Sequence, residues 1–99
     1  MSNTVAHTIL AQLGGNKFLA MTGARDLVRD DNSLQMRLPR FPGLRINTLR
    51  ITLTAMDDYQ IEGLNIRGIS VKPVAFKDGV PAENLPLAVE RMTGLRVSL

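Results

Sequence analysis

The chain of 99 residues contains no cysteine and no tryptophan, and only one histidine, His7. Without cysteine there is no disulfide, no thiol nucleophile and no thiolate ligand for zinc or an iron–sulfur cluster. A lone histidine cannot complete a nucleophilic triad or a zinc shell, so His7 reads as a surface or capping residue of a short helix. Long apolar runs are also missing. No stretch approaches the roughly 18 residues of a membrane span, so no membrane partner is expected. Met1 to Thr8 show no basic region ahead of an apolar core, which does not read as a signal peptide; a cytoplasmic location is the expectation. Aromatics make up 4% of the chain, as Phe18, Phe41, Tyr59 and Phe76, and leave little material for a base-stacking platform.

What remains is ordinary globular material. Apolar residues are 44% and charged residues 21%, a balance that folds and argues against a disordered tail. The length suits one domain, residues 1–99, with a single core. The net charge of +3 comes from nine Arg and three Lys against nine acids. Arginine forks suit phosphate and carboxylate better than lysine does, which tilts the expectation toward an anionic partner.

The segment from Arg45 to Met56 is the longest stretch of unbroken alternation. Successive strand residues face opposite ways, so Leu49, Ile51, Leu53 and Ala55 share one face while Thr48, Arg50, Thr52 and Thr54 share the other. This predicts a half-buried strand with a polar Thr/Arg surface. Ahead of it, residues 3–13 space Val5, Ile9, Leu10 and Leu13 as an amphipathic helix, and Gly14-Gly15 stops it. A phosphate loop would need a strand before the glycines and a helix after them, the reverse of the order read here. Residues 17–22 are apolar on both alternating sets and read as an interior strand, residues 25–32 end in a polar cluster that reads as a turn, and residues 33–38 read as a strand ending at Pro39.

The loop 39–43 follows, with Phe41 read as its anchor to the core, the alternative being an exposed stacking ring beside Arg40 and Arg45. Asp57-Asp58 forms the turn into the next strand, where Tyr59 and Ile61 share one phase and Leu64 and Ile66 the other. The switch predicts a bulge or bend at Gly63. Arg67-Gly68 turns the chain into residues 69–76, which Pro73 assigns to a sheet edge or a bulge. Lys77-Asp78-Gly79 reads as a turn. Residues 81–93 read as a helix whose regular part begins nearer Asn84, given Pro86, and which ends at Gly94. Leu95 to Leu99 alternates as a short strand that joins the parent sheet or a second chain, so a homo-oligomer is one expectation. Together these elements predict an α+β fold: a curved antiparallel sheet of four or five strands with the N- and C-terminal helices packed on one face.

No enzyme, metal or cofactor is expected. Asp57, Asp58 and Glu62 invite a magnesium-dependent nuclease reading, but no lysine stands at a short fixed offset from them, and turn chemistry explains the acids. The cations say more. If the strands at 33–38 and 45–56 pair, Gln35, Arg37, Thr48, Arg50, Thr52 and Thr54 share the outward face, and Arg40 and Arg45 stand in the connecting loop. The candidate nucleic-acid-binding residues are therefore Arg37, Arg40, Arg45, Arg50 and Thr52, a surface that could track a phosphate backbone and equally suits a solvated sheet face. The expected function is binding of nucleic acid, single-stranded and with little sequence preference. The alternative is a small adaptor or inhibitor that contacts a protein through a sheet edge or the C-terminal strand.

Residues 14–24 (GGNKFLAMTGA), the strand from Leu49 to Asp57, Ile66-Arg67-Gly68 and the ending from Thr93 to Leu99 (TGLRVSL) resemble a family of small uncharacterised proteins encoded by bacteriophages and prophages. The resemblance spans most of the chain. It rests on turns and strands, so it implies a shared fold and a phage-type accessory role without implying an activity.

Overall fold

The computed structural model of the chain describes residues 4–40 and 43–95. The order of elements is α1 (Thr4–Leu13), α2 (Asn16–Thr22), β1 (Arg25–Arg29), β2 (Ser33–Arg37), β3 (Thr48–Leu53), β4 (Tyr59–Arg67), β5 (Ser70–Val80), a 3-10 turn (Ala82–Asn84) and α3 (Leu85–Thr93). The strands form one antiparallel sheet in the order β1-β2-β3-β4-β5, a meander in which every strand pairs with its sequence neighbours. This is the expected α+β architecture, with five strands.

The alternation that predicts β3 also sets the core. Leu49 and Ile51 are fully buried, and the register places them against Met36 and Leu34 on β2, with Ile51 opposite Ile61 on β4. Ala6, Ile9 and Leu13 of α1, Phe18 of α2, and Leu85 and Val89 of α3 join those strand residues in a single apolar cluster. The helices therefore cover one face of the sheet, and the other face stays open. At Gly63 of β4 the side chains of Ile46 and of Met92 on α3 come close to the backbone. A Cβ built there would lie 2.5 Å from Ile46 Cδ1 and 3.3 Å from Met92 Sδ, so any larger residue must displace the Ile46 side chain.

Several expectations are corrected. Residues 17–22 lie in helix α2, not in an interior strand. A short apolar run cannot be assigned to strand or helix by periodicity alone, and here Phe18 and Thr22, four residues apart, are the buried pair, with Thr22 Oγ1 donating to Phe18 O at 2.8 Å. Gly23 closes that helix in the left-handed conformation, its N–H donating to Leu19 O at 2.8 Å. Residues 25–29, to which the sequence reading gives no element, form strand β1, and the expected turn follows at Asp30-Asp31-Asn32. An edge strand paired on one side needs little apolar content, which is why its polar sequence hid it. The expected turn at Lys77-Asp78-Gly79 is the last part of β5, where the register against β4 slips by one residue and Gly79 takes φ 63°. Thr48 was expected to be exposed but is buried (1% exposed), set in register between Arg37 and Leu64. Ala55, expected to face inward, is exposed, because β3 ends at Leu53 and residues 54–58 turn.

Other expectations hold. The register shift beside Gly63 is present, with Val74 of β5 as the extra residue. Pro73 lies on an edge strand, and α3 starts after Asn84, with Pro86 in its first turn and Gly94 at its end. The bulges fall where β1 and β5 meet their neighbours, and Asp26 of β1 takes φ 55° at one of them. Bulges, Pro73, Lys72 and Lys77 on the two outer strands are devices that discourage edge-to-edge pairing. The expectations for Phe41 and for the strand running to Leu99 lie outside the described residues.

Candidate functional site

The open face carries the row Val28–Gln35–Arg50–Glu62–Phe76, one residue from each strand in direct register. Arg50 is thus opposite Glu62, and its Nη2 lies 3.8 Å from Asp30 Oδ2. Both side chains of that ion pair are well exposed, so the pair is weak, but two carboxylates beside one guanidinium make the centre of the face a poor phosphate contact. Thr52 is half-buried beside Ser33 and Gln60, one step nearer the turns that carry Asp30 and Asp58. Arg37 is exposed and pairs across the sheet with Arg25. Gln35, Arg37, Arg50 and Thr52 do share one face, yet their electrostatic surroundings differ.

The ends of the sheet differ more. In a meander the connections alternate between the two ends, and here charge follows that alternation. One end holds Arg25 at the start of β1, Arg37 at the end of β2, Arg40 and Arg45 in the following loop, Arg67 at the end of β4 and Lys72 near the start of β5, with Asp26 as its carboxylate. The other end holds Asp30 and Asp31 between β1 and β2, Asp57 and Asp58 between β3 and β4, and Asp78 near the end of β5, with Arg29 and Lys77 as its cations. Strands of five to eleven residues separate the two groups, more than a Debye length of about 8 Å at physiological salt. The acidic end therefore does little to cancel the field at the basic one.

The basic end is held in shape by asparagine. Asn47 Nδ2 donates to Ile66 O at 2.9 Å, while its Oδ1 accepts from the Ile66 N–H at 2.9 Å and from Thr48 Oγ1 at 3.0 Å. The Asn47 N–H donates to Leu64 O and the Leu38 N–H donates to Asn47 O, both at 2.9 Å. Asn65 Nδ2 donates to Arg45 O at 2.7 Å. The loop that carries Arg45 is therefore tied to β4 on both sides of Ile46, which itself is buried in the core. A cationic loop fixed this way gives up little entropy when it meets a ligand.

Among the cavities lined by described residues, two bear on the site. One, of about 560 Å³, runs between β5 and α3 over Val80, Leu87, Ala88 and Met92, with Lys77 and Arg91 at its sides. The other, of about 580 Å³, lies at the basic end and is lined by Arg45, Arg67, Lys72, Ser70, Asn65 and the apolar side of Leu44, Pro73 and Val74. No carboxylate is among its lining residues. Asn65 and Arg67 follow Gly63 in the phase that faces the helices, and Lys72 and Ser70 stand opposite them. The cavity thus opens on the helix side of the sheet, whereas Arg37 and Arg25 project on the open side.

Arg37, Arg40 and Arg45, named from the sequence, fall at the basic end; Arg50 and Thr52 do not. Sequence reasoning missed Arg67 and Lys72, whose signal was their place on either side of the Gly68 turn. It also missed Asn47, which strand alternation treats as just another residue. Among the described residues Tyr59 is the titratable group clearly displaced: burial, and then the neighbouring Asp57 carboxylate, push its phenol above the ordinary value of 10.0. It sits at the acidic end, in the core, and serves packing. Among the described residues no group of three or more His, Cys, Asp or Glu could hold a metal ion, and no helix is long and apolar enough to cross a membrane. No protein-family model, no curated protein and no solved structure matches the chain.

Proposed function

We propose that the protein binds nucleic acid, single-stranded and with little sequence preference, through the basic end of its sheet. The observation that carries this reading is the segregation of charge along the strands, with Arg25, Arg37, Arg40, Arg45, Arg67 and Lys72 at one end and five aspartates at the other. A polyanion gains from such a surface by releasing condensed counterions, and arginine and lysine contacts to phosphate carry no base information. Scarce aromatics favour backbone tracking over base stacking. A phage-type accessory role, which the resemblance implies, suits a small binding module of this kind.

Fluorescence anisotropy of labelled single- and double-stranded DNA and RNA, titrated over a range of salt, tests the reading. Five phosphate contacts on a single strand give a slope of about −3.5 in log affinity against log salt. Replacing Arg45 and Arg67 with Gln flattens it by about 1.4, whereas Arg50→Gln leaves it unchanged. Absence of binding at low salt refutes the proposal.

A second reading has its own support. The cleft between β5 and α3, together with the exposed Phe76 and Leu87 at its border, suits a protein partner, as an adaptor or inhibitor would need. Retention of nucleic-acid binding in a Leu87→Glu variant separates that surface from the basic end.

A further inference from the structure

The cavity at the basic end holds three cations, Arg45, Arg67 and Lys72, with the hydroxyl of Ser70 beside them and no carboxylate. An internal phosphodiester brings one negative charge and must have chain entering and leaving. A phosphate monoester brings about −1.5 to −2 at neutral pH and three acceptor oxygens. Three donors around one concavity match the second better than the first, because each unshared oxygen of a monoester can take a charge-assisted hydrogen bond. The remaining wall of Leu44, Pro73 and Val74 is apolar and offers a surface for the sugar and base next to that phosphate. At about 580 Å³ the cavity is large enough for a nucleotide. Its geometry is also set in advance, since Asn65 holds the Arg45 carbonyl at 2.7 Å and Asn47 holds both backbone polar groups of Ile66.

We propose that this cavity is a nucleoside phosphate monoester site, so that the protein prefers phosphorylated strand ends over internal stretches of the same strand. This rests on the reading of the basic end as a nucleic-acid surface, and it adds a specificity that surface alone lacks. Arg37 and Arg40 would then follow the strand away from its end, as non-selective phosphate contacts.

The test compares labelled oligothymidylates that carry or lack a terminal phosphate, and adds a nucleoside monophosphate and the unphosphorylated nucleoside as competitors. The expected result is binding about tenfold tighter for the phosphorylated end, the worth of one further charge-assisted contact. In the double variant Arg67→Gln, Lys72→Gln that difference disappears, while the unphosphorylated strand still binds through Arg37 and Arg40 with the weaker salt dependence of a surface that has lost two phosphate contacts. Both side chains are exposed, and an unchanged melting curve verifies that the fold survives. Equal, salt-sensitive binding of both oligonucleotides overturns the monoester site and leaves the general nucleic-acid reading standing. Competition by the nucleoside monophosphate without binding of any strand supports the cavity as a nucleotide site and removes the strand-binding reading. Failure of all probes overturns both.

Discussion

Asn47 is the residue on which the structure places the sharpest demand, and Asn47→Ala is the substitution that tests it. The side chain takes part in three hydrogen bonds, two with the backbone of Ile66 at 2.9 Å and one from Thr48 Oγ1 at 3.0 Å. It acts as one more rung of the ladder between β3 and β4, just beyond the point where β3 begins. Each such bond contributes about 1 kcal/mol net, and a donor or acceptor left unmade costs more than that where water cannot reach it. Ile66 is only half-buried, so water recovers part of the loss, and the expected cost is about 2–3 kcal/mol. For a domain of this size that lowers Tm by roughly 10–20 °C. Urea denaturation should show a lower midpoint with an unchanged slope, since the surface exposed on unfolding is the same. Asn47→Asp retains the acceptor for Ile66 N–H and Thr48 but sets a carboxylate oxygen against the Ile66 carbonyl, and should fall between the two. Amide exchange at Ile66 should accelerate in both variants. A stability change for Asn47→Ala within about 0.5 kcal/mol, the range of an ordinary surface substitution, would refute the account of how the basic loop is held.

Two further substitutions probe the core. Gly63→Ala places a methyl 2.5 Å from Ile46 Cδ1 and 3.3 Å from Met92 Sδ, and should destabilise by about 1–3 kcal/mol through overpacking of the buried Ile46; an unchanged denaturation midpoint would show that the Ile46 side chain yields without cost. Tyr59 has a folded pKa raised above 10.0 by burial and by Asp57, so its stabilising contribution is complete below the unfolded value and is lost as pH rises through the folded one. Stability of the wild type should therefore fall above about pH 10, and Tyr59→Phe should lose less over the same window, as followed by circular dichroism alongside phenolate absorbance.

Much of the fold is legible in the residues because alternation and burial agree where a strand has one wet face. Leu34 and Met36, Leu49 and Ile51, and Tyr59 and Ile61 all lie in the phase their sequence assigns, and all are buried. Reading fails at two kinds of place. Residues 16–22 are apolar enough to satisfy either period, and the helix wins because Gly14-Gly15 and Gly23 bound a seven-residue segment that packs Phe18 into the core from above the sheet. Residues 25–29 and 77–80 are polar or carry turn residues, and they become strand because β2 and β4 supply ladder partners that local sequence cannot see.

The charge pattern of the site was legible in principle and was hidden by attention to faces. A sheet face gathers residues two apart on neighbouring strands, so Arg37, Arg50 and Thr52 attract notice as a group. A sheet end gathers the connections, and in an antiparallel meander the first and third connections lie at one end and the second and fourth at the other. Asp30-Asp31 and Asp57-Asp58 occupy the first and third; Arg40 and Arg45 occupy the second, and Arg67 and Lys72 flank the fourth. This sorting survives the missed strand β1, because alternation from β2 onward is unaffected. What sequence could not supply is the distinction between the two sides of the basic end. The side chains of Arg45, Arg67 and Lys72 line one cavity, with Asn47 and Asn65 bonding the loop that carries Arg45 to β4, whereas the strand phase sets Arg37 on the open face. Strand phase thus sorts the cations between the two sides of the sheet, and the two asparagines fix the loop that brings Arg45 to the side of Arg67 and Lys72.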